Sequence, residues 1–471
     1  MIKAGFYEAD ITPAIGMERP GSYNKVFIQE IREKIQVRAT YITDGRTEVA
    51  LVGVDTCMIS SEITGPVRAE FPEMTVLLSP SHLHNGGPAT RSKMPDFHSE
   101  LARKLRQDES IFGNPDYIRH IIAQTITAIK MAKIRAEEVE LSFGRGNVEG
   151  VTFNRGFKMK NGHRATHPGK CNPEIVAPFA PIDTEVGAVG FWKKSDGGFL
   201  GCLVNFNCHG TCASAGGVNA DWPGQMIRTI KAVMGENSGV TYLYACPGDI
   251  TQINNLSLAP SEGGPESAEK VGVSVGAEAL KILMKAEKGE IETLKTNTEF
   301  IKLQRRKPSQ KTLDEALRIV QKWERNTTEF KFAKEHLILG EIVAHEPEMS
   351  AEIQTIQLGP LVIVTMPGEV FCGIGLAIKA RSKFPFTWVS SLANASIGYI
   401  PTADALDPKT GGGYETRLTA GTCAAPDTDR KLIEKSVEMI EKLNPDPVPA
   451  GPQIKPVTTV WEYGNNLPEL E

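Results

Sequence analysis

Two histidines two residues apart close an apolar run and open a glycine-rich turn, in Leu77-Leu78-Ser79-Pro80-Ser81-His82-Leu83-His84-Asn85-Gly86-Gly87-Pro88. Side chains alternate along a strand, so His82 and His84 point to one side if strand geometry continues. Neutral imidazole at the end of a rigid strand suits Zn²⁺, and the glycines let backbone and ligand approach closely. The plain alternative is a pair of loop histidines bonded to nearby carbonyls, and one His-x-His does not decide between the two. A third histidine, His209, closes Leu203-Val204-Asn205-Phe206-Asn207-Cys208. Asp221, shortly after it, either caps the next helix, which is the simpler reading, or orients a metal-bound imidazole.

Three further segments have the same shape. Tyr244-Ala245-Cys246-Pro247-Gly248-Asp249-Ile250-Thr251 reads alone as a strand ending in a turn. The run Leu361-Val362-Ile363-Val364-Thr365-Met366-Pro367-Gly368-Glu369 delivers one carboxylate, which could simply favour a helix N-terminus. Gly398-Tyr399 and Gly413-Tyr414-Glu415 put tyrosines in glycine-rich loops, where each alone reads as a packing anchor. All these segments place polar residues directly after a short apolar strand, at what would be one sheet edge. Open α/β folds bind their ligands at such edges.

The elements that must position these residues follow from periodicity. Strand-like runs cover 36–43, 48–54, 74–79, 200–207, 240–246 and 360–366. Helical patterns cover 115–133, with Asn114 as N-cap and Pro115 at the first position, then 223–234, 265–286, 310–325, 370–382 and 427–443. The expected class is α/β, with mixed β-sheets flanked by helices and the site at the strand ends. Residues 144–184 and 395–426 read as long irregular stretches, the kind that carry sites. No tandem repeat is evident. At 471 residues the chain has room for two lobes, with a boundary near 290–310, and a proline-rich extended tail over 445–471.

Composition narrows the partners. A net charge of -5 gives no electrostatic reason to expect nucleic acid or an anionic membrane. No apolar window is long enough to span a bilayer, so no stable membrane association is expected. The opening residues lack a secretory pattern, and eight cysteines scatter without a paired framework. Together these suggest reduced thiols and a cytoplasmic location. Oligomeric state leaves no trace in the sequence.

Taken in order, the motifs resemble the catalytic domain of the neutral/alkaline (non-lysosomal) ceramidases. Ala9-Asp10-Ile11-Thr12-Pro13 is similar to that domain's start, and His82-Leu83-His84-Asn85-Gly86 to its Thr-His-Thr-His-Ser-Gly segment. Asn154-Arg155 is similar to Asn-Arg-Ser, Gly248-Asp249-Ile250-Thr251 to Gly-Asp-Val-Ser, and Gly413-Tyr414-Glu415 to the Gln-x-Tyr-Glu-Gly turn. The match runs through residues 5 to 425. The resemblance implies a ceramidase-like zinc hydrolase domain over 1–444 with Zn²⁺ on His82, His209, Glu369 and Tyr399. Metal-bound hydroxide would attack an acyl carbon. Tyr414, Arg155 or the metal itself would help hold the oxyanion, His84 would shuttle a proton to the leaving group, and Thr251 would position substrate or water.

Two departures bear on the substrate. Thr251 stands for the signature serine and Gln252 for the proline after it, and the family's immunoglobulin-like domain and leader have no counterpart. If no such domain or leader belongs to this protein, the expected reaction is amide hydrolysis on a small soluble substrate. A lactonase or esterase is the alternative, and a non-catalytic metal-binding protein a further one. A basic run, Lys158, Lys160, His163, Arg164, His167 and Lys170, follows Arg155. It reads first as a solvated loop, and second as a positive lip that with an Arg155 clamp would favour anionic substrates.

Overall fold

The computed structural model describes residues 1–21, 26–90, 105, 113–214, 217–260, 263–451, 453–465 and 467–470. Its body consists of three units with one topology, strand–strand–strand–helix–strand–helix. The first holds β1 (Lys3–Asp10), β2 (Gln36–Thr43), β3 (Glu48–Val54), α1 (Ser61–Glu70), β4 (Met74–Pro80) and α2 (Pro115–Ile134). The second opens with β5 (Glu137–Asn147). Its next connection carries the short strands β6 (Phe153–Asn154), β7 (Gly156–Met159), β8 (Arg164–Thr166) and β9 (Ile175–Pro178). It continues through β10 (Glu185–Lys193), β11 (Phe199–Phe206), α3 (Asp221–Met234), β12 (Gly239–Tyr244), β13 (Ile250–Thr251) and α4 (Pro265–Lys285).

After β14 (Lys288–Gly289), the third unit begins with β15 (Leu294–Gln304) and a helical hairpin, α5 (Gln310–Gln321) and α6 (Thr328–His345). Then come β16 (Glu348–Leu358), β17 (Leu361–Thr365), β18 (Glu369–Val370), α7 (Cys372–Arg381), β19 (Phe386–Ser390), β20 (Tyr399–Ile400) and α8 (Thr428–Glu441).

In each unit the first three strands are antiparallel and the fourth pairs parallel with the third, as β3–β4, β11–β12 and β17–β19. A helical crossover is what a parallel pair requires. Units one and two join where Lys3 and Ala4 of β1 meet Glu138 and Glu137 of β5, giving a nine-stranded sheet. The third unit forms a four-stranded sheet of its own. This repeat is one of topology, which no sequence period announces.

The inner faces share one core, with Leu51 and Leu77 from the first unit, Phe191, Leu203 and Leu243 from the second, and Leu361, Ile363 and Trp388 from the third. Each outer face is covered by its own helices, through Ile118 and Ile121, through Trp222 and Val275, and through Ile374 and Leu432. Strands buried on both faces read as unbroken apolar runs. The third and fourth strands of each unit therefore stand out in the sequence, apart from β19.

α2 starts as expected, with Asn114 accepting from the backbone N–H groups of Asp116 and Tyr117. α1 escapes sequence reading because Gly65 and Pro66 interrupt its middle, and the helix expected over 310–325 ends at Gln321. Residues 144–184 are not irregular throughout: they include the end of β5, and β7, β8 and β9 form a small sheet. The chain passes between its two large sheets at Gly289–Leu294, a connection held by the tail. There the Asp446 carboxylate accepts from Glu292 N, Thr293 N and Thr293 Oγ1. No helix among the described residues is long and apolar enough to cross a membrane.

The fourth strands of all three units meet at one point. Tyr244 N donates to Ser79 Oγ at 3.0 Å, Ser79 Oγ lies 3.1 Å from Ser390 Oγ, and Ser391 N donates to the Tyr244 carbonyl at 3.0 Å. This junction is the floor on which the candidate site stands.

Candidate metal centre

Each unit contributes one side chain just beyond a strand: His82 after β4, His209 after β11, Glu369 after β17. The two histidine loops are stitched together, with Leu83 bridging Gly210 and His84 N donating to Gly210 O at 3.2 Å. Position 210 must be glycine, because a Cβ there would stand 2.6 Å from His82 O. His82 itself has φ 54, so the chain leaves strand geometry at the first histidine and the period-two argument does not apply. The two rings still end up adjacent, with His84 Nε2 3.4 Å from His82 Nε2.

Carbonyls from neighbouring strand ends aim the imidazoles. His82 Nδ1 donates to Cys57 O and His209 Nδ1 to Pro247 O, both at 2.7 Å. Asp221 plays no part in orienting His209. Its carboxylate accepts from Cys212 N, Ala213 N and Trp222 N at the start of α3, which ties down the loop after His209. Glu369 does not cap α7, whose N-cap is Phe371 without a side-chain bond. Instead its carboxylate faces the histidines.

With both Nδ1 atoms donating, two Nε2 lone pairs face each other at 3.2 Å. Glu369 Oε2 stands 3.3 Å from His82 Nε2 and 3.6 Å from His209 Nε2. That oxygen is buried and accepts no well-formed hydrogen bond among the described residues. Three acceptor atoms this close repel one another unless a cation lies between them. Metal–nitrogen bonds of about 2.0–2.1 Å put tetrahedral ligands about 3.3 Å apart, the spacing seen here. The residues present therefore fit a metal ion.

Charge distribution agrees. Burial would raise Glu369, but His82 and His209 hold its carboxyl well below the usual range. Burial pulls His82 down, yet Glu369 and Cys57 outweigh it and raise it to about 10. His209 is lowered to about 4 by burial and Arg155. The centre thus demands positive charge, supplied by a proton on His82 or by a metal ion. A second cluster, Cys57, His82 and His84, shares His82, but there Cys57 Sγ faces, at 3.9 Å, the Nδ1 already turned to a carbonyl.

Tyr399 is beside Glu369, since β18 and β20 pair in parallel at Glu369 and Tyr399. Arg155 Nη2 donates to Tyr399 Oη at 3.1 Å and to Gly248 O at 2.7 Å, and its Nε donates to Glu415 Oε1 at 2.6 Å. Both Nη2 protons and Nε are committed, so the expected two-pronged clamp on a substrate carboxylate has no free fork. Glu415 also accepts from Arg164 Nη1 at 2.9 Å and Thr166 Oγ1 at 2.6 Å. Arg164 is thereby drawn out of the basic run into the interior. Of the rest, Lys160 faces Glu174 at 3.5 Å, Lys170 donates to Ala259 O at 2.8 Å, and Lys158 and His163 are exposed.

Tyr414, 39% exposed, stands edge-on to Tyr399 with ring centroids 5.8 Å apart. Thr251 is buried on β13, paired with β6, and its hydroxyl serves Gln252 Oε1 at 3.2 Å and Ile253 N at 3.3 Å. Sequence reading passed over Glu415 and Tyr244, which lie inside motifs it had singled out. The carbonyls of Cys57 and Pro247 leave no side-chain signal at all.

No protein-family model and no curated protein matches this sequence. Solved structures do. The crystal structure of neutral ceramidase from Pseudomonas aeruginosa aligns with a TM-score of 0.68 at 18% identity, over 96% of this chain and 76% of that one. A structure of ceramidase complexed with C2 aligns with a TM-score of 0.68 at 17% identity, over 96% and 77%. This chain shares their fold.

Proposed function

We propose that the chain is a zinc-dependent hydrolase, an amidase that cleaves the N-acyl or amide bond of a small soluble substrate. The observation that carries this is the convergence of His82 Nε2, His209 Nε2 and Glu369 Oε2 within 3.2–3.6 Å of one another. Two imidazoles and a carboxylate from separate strand ends, with a phenol beside them, are a donor set suited to Zn²⁺. Bound there, Zn²⁺ supplies a Lewis acid that polarises an acyl oxygen and makes water nucleophilic near neutral pH. The fold shared with ceramidase structures supports acyl chemistry as the reaction class.

The chain's own groups supply the rest. Tyr399 would be the fourth ligand. Burial and Glu369 push its phenol well above the ordinary value and Arg155 opposes them, so only a strong local positive charge makes it anionic. Tyr414, at the mouth, offers an O–H donor to the acyl oxygen. Arg155 holds Tyr399 and Glu415 in place rather than gripping substrate. Thr251 orders the turn after β13 and has no adjacent base among the described residues, so it positions rather than attacks.

His84 is the group that handles the leaving group's proton at Nε2. Burial, His82 and His209 lower it to about 3, so it stands ready to accept a proton but holds one weakly. Near neutral pH His84 therefore has almost no proton to give, which favours a second reading, a lactonase or esterase, because an alkoxide leaves with less protonation than an amine. A direct comparison decides: kcat/KM for a short N-acyl amide, its ester and lactone analogues, and a long-chain ceramide. We expect turnover of the small substrates and at least about tenfold poorer kcat/KM on ceramide, a factor worth about 1.4 kcal/mol of transition-state binding. Efficient ceramide hydrolysis by the purified protein overturns the small-substrate assignment. An ester or lactone turned over while the amide is untouched moves the function to the second reading.

A further inference from the structure

We propose that Tyr244 is a positioning residue of the metal centre, its hydroxyl donating from the floor of the site to Glu369, directly or through one water. This rests on the metal reading above and adds a residue that the reading does not use.

The case begins with hydrogen bonding. Tyr244 is fully buried, and its hydroxyl has no hydrogen-bond partner among the described residues. The other buried phenols among the described residues are satisfied. Tyr242 Oη, two residues earlier on the same face of β12, donates to Phe206 O at 2.8 Å. Tyr117 Oη donates to Ile11 O at 2.7 Å, Tyr41 Oη to Glu48 Oε1 at 2.7 Å, and Tyr399 Oη accepts from Arg155. An unused buried hydroxyl costs stability, and phenylalanine would fill the same space without it. The exception at 244 therefore leaves one buried donor for an acceptor at the site.

Position supplies the partner. Tyr244 ends β12 at the junction of the three units, where its backbone is held by Ser79 and Ser391. From there its ring lies against His82, with centroids 5.3 Å apart and planes tilted by 49°. Glu369 Oε2, the acceptor lacking a hydrogen-bond donor at the centre, contacts that same histidine at 3.3 Å. The Tyr244 ring and the Glu369 carboxylate thus both lie against one imidazole.

Groups that hold metal ligands from behind govern affinity and carboxylate orientation, and losing one weakens metal binding by about 10–100-fold. The test is Tyr244→Phe, which deletes only the oxygen. Zinc affinity is read by competition with a chromophoric chelator, in parallel with wild type, and thermal melting is recorded on the metal-free proteins. The expected result is zinc affinity at least about tenfold weaker, a metal-free Tm equal to wild type or higher, and kcat reduced more than KM. Equal zinc affinity and equal kcat overturn the proposal, since Tyr244 is then only core. A sharply lower metal-free Tm overturns it too, because the hydroxyl is then structural. If wild type itself takes up no zinc, the metal reading falls and this inference with it. If wild type binds zinc and the variant binds it equally well, this inference alone fails.

Discussion

His209→Ala is expected to abolish stoichiometric zinc and to lower kcat/KM by at least about a thousandfold, since the reaction loses both its Lewis acid and its activated water. Wild-type protein should carry close to one zinc per chain, removable by chelation with loss of activity and restored on adding zinc back. The role of His209 is separable from the packing around it. Its Nδ1 is already satisfied by Pro247, and its loop is pinned independently by Asp221 and by the bridge between Leu83 and Gly210. Truncation therefore opens the centre without releasing the loop. The variant should melt close to metal-free wild type while failing to gain the stabilisation that zinc gives the wild type by mass action. Full zinc occupancy in a His82→Ala, His209→Ala double variant would place the metal elsewhere and end the assignment.

The reason three separate sequence segments can be read as one centre is visible in the architecture. Burial on both faces makes β4, β11 and β17 continuous apolar runs, and such runs end where the chain turns polar. His82, His209 and Glu369 each follow such an end, so their candidacy could be read locally. What could not be read is that β4, β11 and β17 belong to three copies of one topology whose ends converge. That depends on pairings hundreds of residues apart, such as Ser79 with Ser390 and Leu78 with Asn394.

Where sequence reasoning failed, it failed for local physical causes. Asp221 offered orienting His209 only as its second reading, and backbone carbonyls from adjacent strands take that role. Carbonyls are present at every residue, so no pattern singles one out. The basic run after Arg155 looked like one surface, but a single acidic residue about 250 positions downstream draws Arg164 inside. Arg155 is likewise more a strut than a substrate clamp, because Glu415, Gly248 and Tyr399 use its Nε and Nη2 donors.

Glu415 is the residue on which that strut depends, and Glu415→Gln is expected to cost about 3–5 kcal/mol of folding stability, the range for breaking a buried ion pair from one side. Both carboxylate oxygens are engaged, one by Arg155 and the other by Arg164 and Thr166, and the side chain is fully buried. Glutamine keeps the shape but leaves two buried guanidinium groups facing a neutral amide. Burial alone would raise this carboxyl, but Arg155 and Arg164 overcome that and lower it from 4.5 to about 2. The depressed value fixes the sign of the pH dependence: stabilisation is complete above about pH 4.5 and is lost as pH falls from there through about 2. The interval corresponds to about 3 kcal/mol at 1.36 kcal/mol per pH unit, in keeping with the mutational range. Urea unfolding of wild type between pH 3 and pH 7 should therefore show a declining midpoint below about pH 4.5, and the variant a lower midpoint with a flatter acid limb. Activity should fall as well, even at temperatures where the variant is folded, because Arg155 would no longer be held against Tyr399 beside the metal ligands. A variant with an unchanged urea midpoint at neutral pH would show that the two arginines are satisfied without Glu415, and would remove this network from the account of the site.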